Sequence, residues 1–348
     1  MTATRVPVSP EVAEIRRRTG QRLVWLGVLA LALVAVVVAS ATSGVRIVSL
    51  DDILAAFSGD VATVERAAVA SRLPRTALGL LAGMSLAVAG GTMQAVTRNP
   101  LADPGIFGVL SGASLAVVIG LSFFGLSSPY TQMLVAIVGA GGAALFVYGV
   151  GSLGRGGATP LKLALAGAAT SAAFTSLVSA ILLPRASVME EFRRWQIGRI
   201  GGATTWDPVM PVLPFLIIGL LICLFSARGL NSLALGDDVA TGLGENVMRT
   251  RLVASIGAVI LCGVTTAACG PIGFVGLVIP HVCRLLVGTD HRWMLPFAGI
   301  AGAILLLGAD TLGRVVSPGS EIEVGIITPL IGAPFFIWIV RRQKVREL

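Results

Sequence analysis

Long stretches without a single charged side chain constrain the fold of this chain more than any other feature of its sequence. One such stretch covers residues 104–154, and another covers residues 252–283. A membrane-crossing helix needs about 20 consecutive apolar residues, so both stretches are long enough to enter a bilayer. Only 13% of all residues are charged, whereas a soluble domain usually has about 25%. The sequence therefore predicts an all-α integral membrane protein.

The uncharged stretches divide into ten predicted transmembrane helices, which form one domain at residues 23–340. Polar tails flank this domain at residues 1–22 and 341–348. The run at residues 23–43 is too long for the apolar part of a signal peptide, so we interpret it as the first span. The predicted spans cover residues 23–43, 76–97, 104–154 (two spans), 163–184, 208–227, 247–287 (two spans), 293–309 and 324–340.

Both tails are basic, which bears on the orientation of the chain in the membrane. The positive-inside rule places basic flanks in the cytoplasm, and two cytoplasmic termini require an even number of spans, as ten is. The segments 72–112 and 251–287 also resemble each other, since each is a helix of small residues that breaks at a proline and restarts. On ten spans they cross in opposite directions, which predicts an inverted repeat of spans 2–5 and 7–10.

The segment from Gly90 to Gly112 contains a sharp corner between two apolar runs. The corner begins at Asn99-Pro100-Leu101, and proline neither continues a helix nor favours helical geometry in the residue before it. Met93 and Gln94 lie on the helix that enters the corner and give it an adaptable, polar face. The corner is either a plain connector or the floor of a transport path, and the residues alone leave both interpretations open.

Several chemical motifs are absent from the sequence. It has no GxxxxGK[ST] phosphate loop, no GxSxG nucleophile elbow and no histidine–cysteine cluster with metal-ligand spacing. We therefore expect no cofactor and no ATPase site in this chain, so the energy for uphill transport must come from a partner or from an ion gradient. The scattered arginines form no stripe that would suit nucleic acid.

The predicted span interiors hold few ionisable groups, although an ion-coupled carrier normally keeps such groups at mid-membrane. Asp310 precedes Arg314 by one helical turn, and we interpret the two as an ion pair at a helix end rather than a proton relay. This pattern favours passive conduction of a large cargo past uncharged groups such as Met93 and Gln94. An ion-coupled secondary transporter and an intramembrane enzyme are the alternatives from other classes.

Residues 231–249 form a polar segment that suits docking of a cytoplasmic partner. We predict two short amphipathic helices here, hinged by glycine, which a partner would grip in order to push on the membrane helices. A solvated connector is the alternative interpretation. The residues assigned to this coupling role are Gly236, Asp237, Asp238, Thr241, Gly242, Gly244 and Glu245.

Three arginines on the opposite side of the predicted membrane form a second candidate docking surface. Arg72, Arg75 and Arg314 fall near the outer ends of their predicted spans. The planar guanidinium group suits pairing with carboxylates, so these residues could receive the acidic side chains of an external protein. Pairing with lipid headgroups or with local acidic residues is the alternative, and spacing alone does not separate the two.

At these positions the sequence resembles the permease family of ABC importers for iron-siderophores, haem and vitamin B12. The matching pieces are RLPRTALGLLAG, GGTMQAVTRNPLADPGIFGVLSGAS, LKLALAG, LALGDDVATGLG, GPIGFVGLVIPHVCRLLVGTDHRWMLP, GADTLGR and ITPLIGAPFFIWIVRR, and they cover residues 72–342 in order. TRNPLADPG, GTDHRWMLP and RRWQIGRIGGATTW are most similar to permeases for ferric catecholate siderophores of the enterobactin kind.

The resemblance implies the transmembrane subunit of an importer that moves a ferric siderophore across the bacterial inner membrane by alternating access. A haem or cobalamin permease of the same family is the runner-up. The implied partners are a second permease, with a heterodimer favoured over a homodimer, two cytoplasmic ATPase subunits that use ATP and magnesium, and an external substrate-binding protein.

The resemblance also implies roles for individual residues. It makes the 231–249 segment the coupling helices that enter the ATPase, and it pairs Arg72 and Arg314, with Arg75 nearby, with glutamates of the binding protein. It places Asn99-Pro100-Leu101 at the cytoplasmic gate. The loop Gly156–Lys162 would be a second gating element, although it matches the family less well.

Overall fold

The computed structural model of the chain describes residues 10–43, 51, 55, 62–126, 128–153, 159–317 and 321–342. This part of the chain is all-α, and a 3-10 helix (Pro104–Phe107) precedes α3. The α-helices are α1 (Pro10–Thr42), α2 (Val64–Thr97), α3 (Val109–Phe124), α4 (Pro129–Ser152), α5 (Pro160–Leu182), α6 (Ala186–Gln196), α7 (Leu213–Leu233), α8 (Asp237–Gly242), α9 (Val247–Cys269), α10 (Val275–Val287), α11 (His291–Val316) and α12 (Val324–Arg342).

The prediction of ten transmembrane helices is wrong. Six of the described helices are long and apolar enough to cross a membrane, and α7 is a seventh if its two parts, bent by 46°, count as one span. Three further apolar helices, in α3, α10 and α12, are shorter. Helix α10 has 13 residues, which at 1.5 Å per residue reach about 20 Å and fall short of a hydrocarbon core of about 30 Å.

The miscount arose because uncharged runs were divided by length, whereas the chain spends part of each run on breaks. The 3-10 helix Pro104–Phe107 shortens α3, and the segment between Cys269 and Val275 shortens α10. The argument that both termini are cytoplasmic required an even number of spans and used the count of ten. It no longer holds, because that count is wrong. The inverted repeat of spans 2–5 and 7–10 used the same count and is withdrawn as well.

Two breaks that the sequence predicted are confirmed. The turn expected near residues 125–129 separates α3 from α4, and Gly270 ends α9 with a φ of +73°. Residues 10–22, which the sequence assigned to a polar tail, are helical and form the first turns of α1. Residues 154–158, which include the start of the predicted Gly156–Lys162 loop, lie outside the described residues.

Helix α2 is the most buried of the candidate spans and packs against α9, α10 and α11. Glycines bring its backbone close to those of its neighbours. A Cβ built on Gly83 would overlap the backbone of Gly302 in α11, and a Cβ built on Gly90 would overlap the backbone of Gly276 in α10. Small residues at helix contacts allow this close packing inside a membrane, so α2 is the fixed centre of the bundle.

Helix α1 is fastened to the bundle at Arg22, more than three turns from its start, and again at its last residues. The Arg22 Nε donates to the carbonyl oxygen of Val287 at 3.1 Å. Near its end, the Arg314 Nη1 donates to the carbonyl oxygen of Ser40 at 3.0 Å. The part between is almost unburied and exposes large apolar side chains, as suits contact with lipid, at Leu23, Val24, Trp25, Val28, Leu31, Val34 and Val38.

Helix α5 is also largely unburied, but its exposed side chains are different in kind. Alongside a few leucines it exposes small and hydroxylated residues, namely Ala168, Ala169, Ala172, Ala173, Thr175, Ser176 and Ser179. Small residues and hydroxyl groups are enriched where membrane helices meet each other. The exposed face of α5 therefore suits another helix or an aqueous path better than it suits lipid.

Candidate functional site

The predicted corner lies where α2 ends, at one end of the bundle that we call the corner end (residues 98–101 and helix α8). Arg98 adopts the left-handed conformation with a φ of +51°, and the amide of Asn99 donates to the carbonyl oxygen of Gln94 at 3.1 Å. The Asn99 side chain accepts a hydrogen bond from the amide of Leu101 at 2.9 Å. The turn is thus closed by its own hydrogen bonds, and the Leu101 side chain remains exposed.

Asp103 completes the corner and was not singled out from the sequence. Its side chain caps the 3-10 helix by accepting a hydrogen bond from the amide of Gly105 at 2.8 Å. Burial raises the pKa of this carboxyl group, and the Gly105 hydrogen bond opposes that rise. An Asx residue directly before a proline is a recognisable N-cap signal, so the sequence could have identified it.

Met93 and Gln94, the predicted path residues, both lie inside the subunit. Met93 is fully buried in the hydrophobic core. The Gln94 Nε2 donates to the carbonyl oxygens of Gly276 at 3.1 Å and Leu277 at 3.3 Å, and its Oε1 accepts from Arg284. Gln94 therefore joins α2 to α10. A path along these side chains requires the two helices to separate, and the path role stays a prediction.

The predicted coupling residues lie together at the corner end, on and beside α8. Gly236 precedes the helix with a φ of +108°, Asp237 and Asp238 form its first turn, and Gly242 ends it. The Thr241 hydroxyl donates to the carbonyl oxygen of Asp237 at 2.8 Å. The segment contains one short helix rather than two, because the second predicted piece is a turn at Gly244 (φ +84°) followed by the start of α9.

Glu245 lies in that turn and bonds to α9 rather than to solvent alone. Its carboxylate accepts a hydrogen bond from the hydroxyl of Thr250. Asn246 follows as the N-cap of α9, and its side chain accepts from the amide of Arg249 at 3.0 Å. The exit from α8 into α9 is therefore held by side-chain hydrogen bonds, while α8 itself has few contacts with other helices.

An ion-paired carboxylate connects α8 to the corner. The Asp237 Oδ1 accepts from the Arg98 Nη2 at 2.9 Å and from the Arg251 Nη2 at 2.8 Å. Arg98 directly follows α2, and Arg251 lies in the first turns of α9. One carboxylate therefore joins three elements at the corner end. The sequence placed Asp237 in the coupling segment but gave no sign of either arginine as its partner.

Apolar side chains on the coupling segment are exposed, and none of them is among the residues that the sequence assigned to the coupling role. Val239 lies on α8, Leu243 follows the helix directly, and Leu235 lies just before it, with exposed fractions of 52%, 66% and 61% respectively. Large apolar side chains grouped on a surface mark a contact with a protein or a membrane. Their spacing of four residues is visible in the sequence and could have identified this surface, which we call the α8 patch (Leu235, Val239 and Leu243).

The frame around the α8 patch is held by polar contacts between α7 and α11. Asn231 donates to Asp290 at 2.6 Å and accepts from the amide of His291 at 2.8 Å. Burial favours a higher pKa for Asp290, but hydrogen bonds from Arg292 and Asn231 outweigh it and lower the pKa from 3.8 to about 2. The carboxylate thus stays ionised at physiological pH.

Arg75 is buried at the opposite end of the bundle, which we call the arginine end (Arg72, Arg75 and Arg314). Its Nη2 lies 2.8 Å from the Asp310 Oδ1, and its Nε lies 3.0 Å from the Asp310 Oδ2. Its Nη1 donates to the Glu321 Oε2 at 2.7 Å. The Arg75 guanidinium group is therefore already bound to two carboxylates of its own chain.

Arg314 is buried beside Arg75 and is also engaged within the chain. Its Nη2 lies 3.3 Å from the Asp310 Oδ2, which confirms the expected ion pair. Its Nη1 donates to the carbonyl oxygens of Ser40 and Ser43 at the end of α1, at 3.0 and 3.1 Å. Asp310 thus joins α2 to α11, and Arg314 extends the cluster to α1.

Arg72 is less buried than the other two arginines. Its Nη1 donates to the carbonyl oxygens of Ala41 at 3.0 Å and Thr42 at 3.2 Å. All three arginines therefore have partners within the subunit, and an external carboxylate would have to share or displace them. Their role in docking stays a prediction.

Fold and site together define a polytopic membrane protein that exposes an apolar surface beside a hydrogen-bonded chain corner. Similarity to known transporters identifies the family within this class. The chain belongs to the FecCD transport family, whose model matches residues 31–342. This confirms the resemblance to permeases of iron-siderophore and haem importers.

Two relatives and one solved structure illustrate the likeness. The chain is 44% identical over 315 residues to the ferric enterobactin transport system permease protein FepD of Escherichia coli (strain K12), covering 89% of this chain and 94% of the relative. It is 39% identical over 282 residues to the hemin transport system permease protein HmuU of Yersinia pestis, covering 78% and 82%. A solved metal-chelate type ABC transporter in an inward-facing conformation superposes with a TM-score of 0.81 at 29% identity, covering 92% of this chain and 99% of that one.

The chain is therefore the transmembrane permease component of a bacterial ABC importer and a multi-pass protein of the inner membrane. Membership of this family implies that it works with ATPase subunits and with a partner permease subunit.

Proposed function

We propose that this permease imports a ferric siderophore of the catecholate type by alternating access. The observation that carries the proposal is the 44% identity to the ferric enterobactin permease, which extends over 89% of this chain. Import of haem is the second candidate, because the hemin permease of Yersinia pestis is 39% identical. The cargo would move past uncharged side chains, driven by partner subunits that hydrolyse ATP.

The ATPase subunits dock on the α8 patch in this proposal, so that the corner end faces the cytoplasm. The patch combines exposed apolar side chains with the two acidic residues of the first turn of α8. A six-residue helix with few contacts to the bundle can move without unpacking the core. It therefore suits a lever that a partner pushes.

A second permease subunit covers the exposed face of α5 in this proposal. That face offers alanine, serine and threonine, which pack closely against another helix or border an aqueous path. We favour a homologue over a second copy of this chain as the partner, because the resemblance to ferric catecholate permeases favours a heterodimer. Co-purification of the tagged chain with a chromosomally encoded second permease would support this, and an isolated homodimer would contradict it.

An external binding protein docks at the arginine end in this proposal, where Arg72 is the most accessible of the three arginines. Glu321, which is about half exposed, occupies Arg75 in the free subunit. A glutamate of the binding protein would take the place of Glu321 and leave the buried pair with Asp310 intact.

The gate lies at Asn99-Pro100-Leu101 in this proposal, with the Gly156–Lys162 loop as a second element. The corner is closed by local hydrogen bonds and exposes Leu101. It can therefore move as a unit at the end of the rigid helix α2.

Transport by the assembled importer in proteoliposomes tests the function. With the ATPase inside and loaded binding protein outside, we expect uptake of iron-55 as a ferric catecholate to require ATP and to exceed uptake of hemin and cobalamin by about tenfold, which corresponds to about 1.4 kcal/mol. Preference for hemin or cobalamin would replace the proposed cargo. Uptake without ATP that stops when a proton gradient is dissipated would contradict the ABC mechanism.

Replacing Gly242 with proline should uncouple ATP hydrolysis from transport. Proline at the last residue of α8 removes a backbone donor and disfavours helical geometry in the preceding residue. We expect ATP hydrolysis to continue while uptake falls about tenfold or more. The matched control is Gly242→Ala, since a Cβ at this position meets no atom within 4 Å. Equal uptake by the two variants would contradict the lever role of α8.

A further inference from the structure

We propose that Arg98, Asp237 and Arg251 form the link that transmits movement of α8 to the corner. The inference rests on the proposed function and adds to it two arginines that have no role so far. Both place an Nη2 atom within 2.9 Å of the same Asp237 oxygen. They come from the end of α2 and from the start of α9, so the link joins the lever to the gate directly.

The backbone of Arg98 indicates that its side chain has a task. It occupies the left-handed position that closes a helix, with a φ of +51° and a ψ of +31°. Glycine is the usual residue there, because any Cβ makes this conformation unfavourable. Arginine at this position costs more backbone conformational energy than glycine would, but its guanidinium group reaches Asp237.

The position of Arg98 in the chain explains how the Arg98–Asp237 ion pair can move the gate. Arg98 directly precedes Asn99 in the chain. A force on the Arg98 side chain therefore acts on the first residue of the proposed gate. Helix α2 behind it is held by close contacts with α10 and α11. Movement of α8 therefore displaces the corner rather than the whole helix.

Arg251 supplies the fixed side of the link. Its side chain is only 10% exposed, whereas those of Arg98 and Asp237 are each 40% exposed. It lies on α9, which packs against α7 and α2. Asp237 thus lies between a buried arginine and a more exposed one, and in this proposal α8 tilts while its first residue keeps both partners.

An ordinary surface ion pair predicts something different. The Arg98–Asp237 pair is exposed on both sides, and exposed pairs contribute little to stability, so as an ordinary pair its loss would change neither folding nor transport to any great extent. A link predicts that Arg98→Gly keeps its stability and loses most of its coupling. Asp237→Asn also leaves the buried Arg251 without a carboxylate, so that variant is compared for coupling only. The two interpretations therefore separate when melting temperature and transport are measured on the same variants.

Arg98→Gly is the most informative substitution, because it removes the side chain and relieves the left-handed backbone together. We expect its melting temperature to equal or exceed that of the wild type, while the number of ferric siderophore molecules transported per ATP falls about tenfold. Asp237→Asn, which keeps the shape of the side chain, should cause a similar loss, and the double variant should be no worse than either single variant. The matched control is Arg228→Gln on α7, an exposed arginine for which the described residues show no side-chain hydrogen bond.

The outcomes distinguish this inference from the proposed function. If the wild-type importer fails to transport in an ATP-dependent way, the proposed function falls. If the wild type transports and Arg98→Gly keeps its ratio of transport to ATP, the link falls while the function stands. Additive losses in the double variant, or an equal loss in Arg228→Gln, would also overturn the link. Should Arg98→Gly fail to assemble, Arg98→Gln takes its place, because it removes the charge that pairs with Asp237 and leaves the acidic residues of α8 intact. Loss of coupling in that variant supports the link, and unchanged coupling refutes it.

Discussion

Replacing Asp310 with alanine is expected to destabilise this permease more than any other single change considered. The carboxylate is 2% exposed and pairs with Arg75 and Arg314. Without it, the buried Arg314 loses its carboxylate partner, and the buried Arg75 keeps only Glu321, which is about half exposed. Removal of one partner from a buried ion pair costs about 3–5 kcal/mol. We expect the variant to lose most of its monodisperse, folded fraction in detergent, measured by fluorescence-detected size-exclusion chromatography and by thermal unfolding.

The control for this prediction is Glu190→Ala. Glu190 also pairs with an arginine, Arg194, but the two side chains are 77% and 58% exposed. Exposed pairs of this kind are worth about 0–1 kcal/mol, so the control should fold like the wild type. If Asp310→Ala were as stable as Glu190→Ala, the buried cluster would not hold α2 to α11, and the interpretation of the arginine end would have to change.

Replacing Gly90 with valine is expected to have the second largest effect. A Cβ at this position overlaps the backbone of Gly276 in α10, and backbone atoms have no rotamer with which to move aside. Inserting atoms into a packed core typically costs about 1–3 kcal/mol, and a backbone obstacle places this variant at the upper end of that range. Since Gln94 also joins α2 to α10, the substitution should break that contact as well. Thermal unfolding of the purified variant measures the loss.

Gly308→Val provides the matched comparison on α11. A Cβ at Gly308 meets no atom within 4 Å, although the residue also lies in a candidate membrane span. The same glycine-to-valine change should therefore leave the melting temperature nearly unchanged. Equal losses at the two sites would show that valine is disfavoured in these helices for a general reason, and not because α2 and α10 touch at Gly90.

Local patterns in the sequence were enough to predict the class of fold and several of its breaks. Uncharged runs indicated membrane helices, and glycine with proline marked the break between α9 and α10. The spacing of Asp310 and Arg314 predicted their ion pair. All of these depend on residues close together in the chain. The number of spans failed because it depends on how many residues each break uses, and composition does not encode that number.

Contacts between distant segments could not be predicted. Arg75 and Asp310 are 235 positions apart, so the carboxylate that occupies the arginine was invisible in the sequence. The same holds for Arg98 and Asp237, which are 139 positions apart. Met93 and Gln94 were chosen for their chemistry, but their burial follows from the way α2 packs at the centre of the bundle.

The way in which α1 is attached to the bundle determines which of its positions tolerate substitution. It is tied to the bundle at Arg22 and at Ser40, whereas the part between these residues meets little else in the subunit. Any combination of leucine, isoleucine, valine and phenylalanine satisfies lipid equally well there. The middle of α1 is therefore a permissive site, where a fluorescent or spin-labelled residue would report on the surrounding membrane without disturbing the transporter.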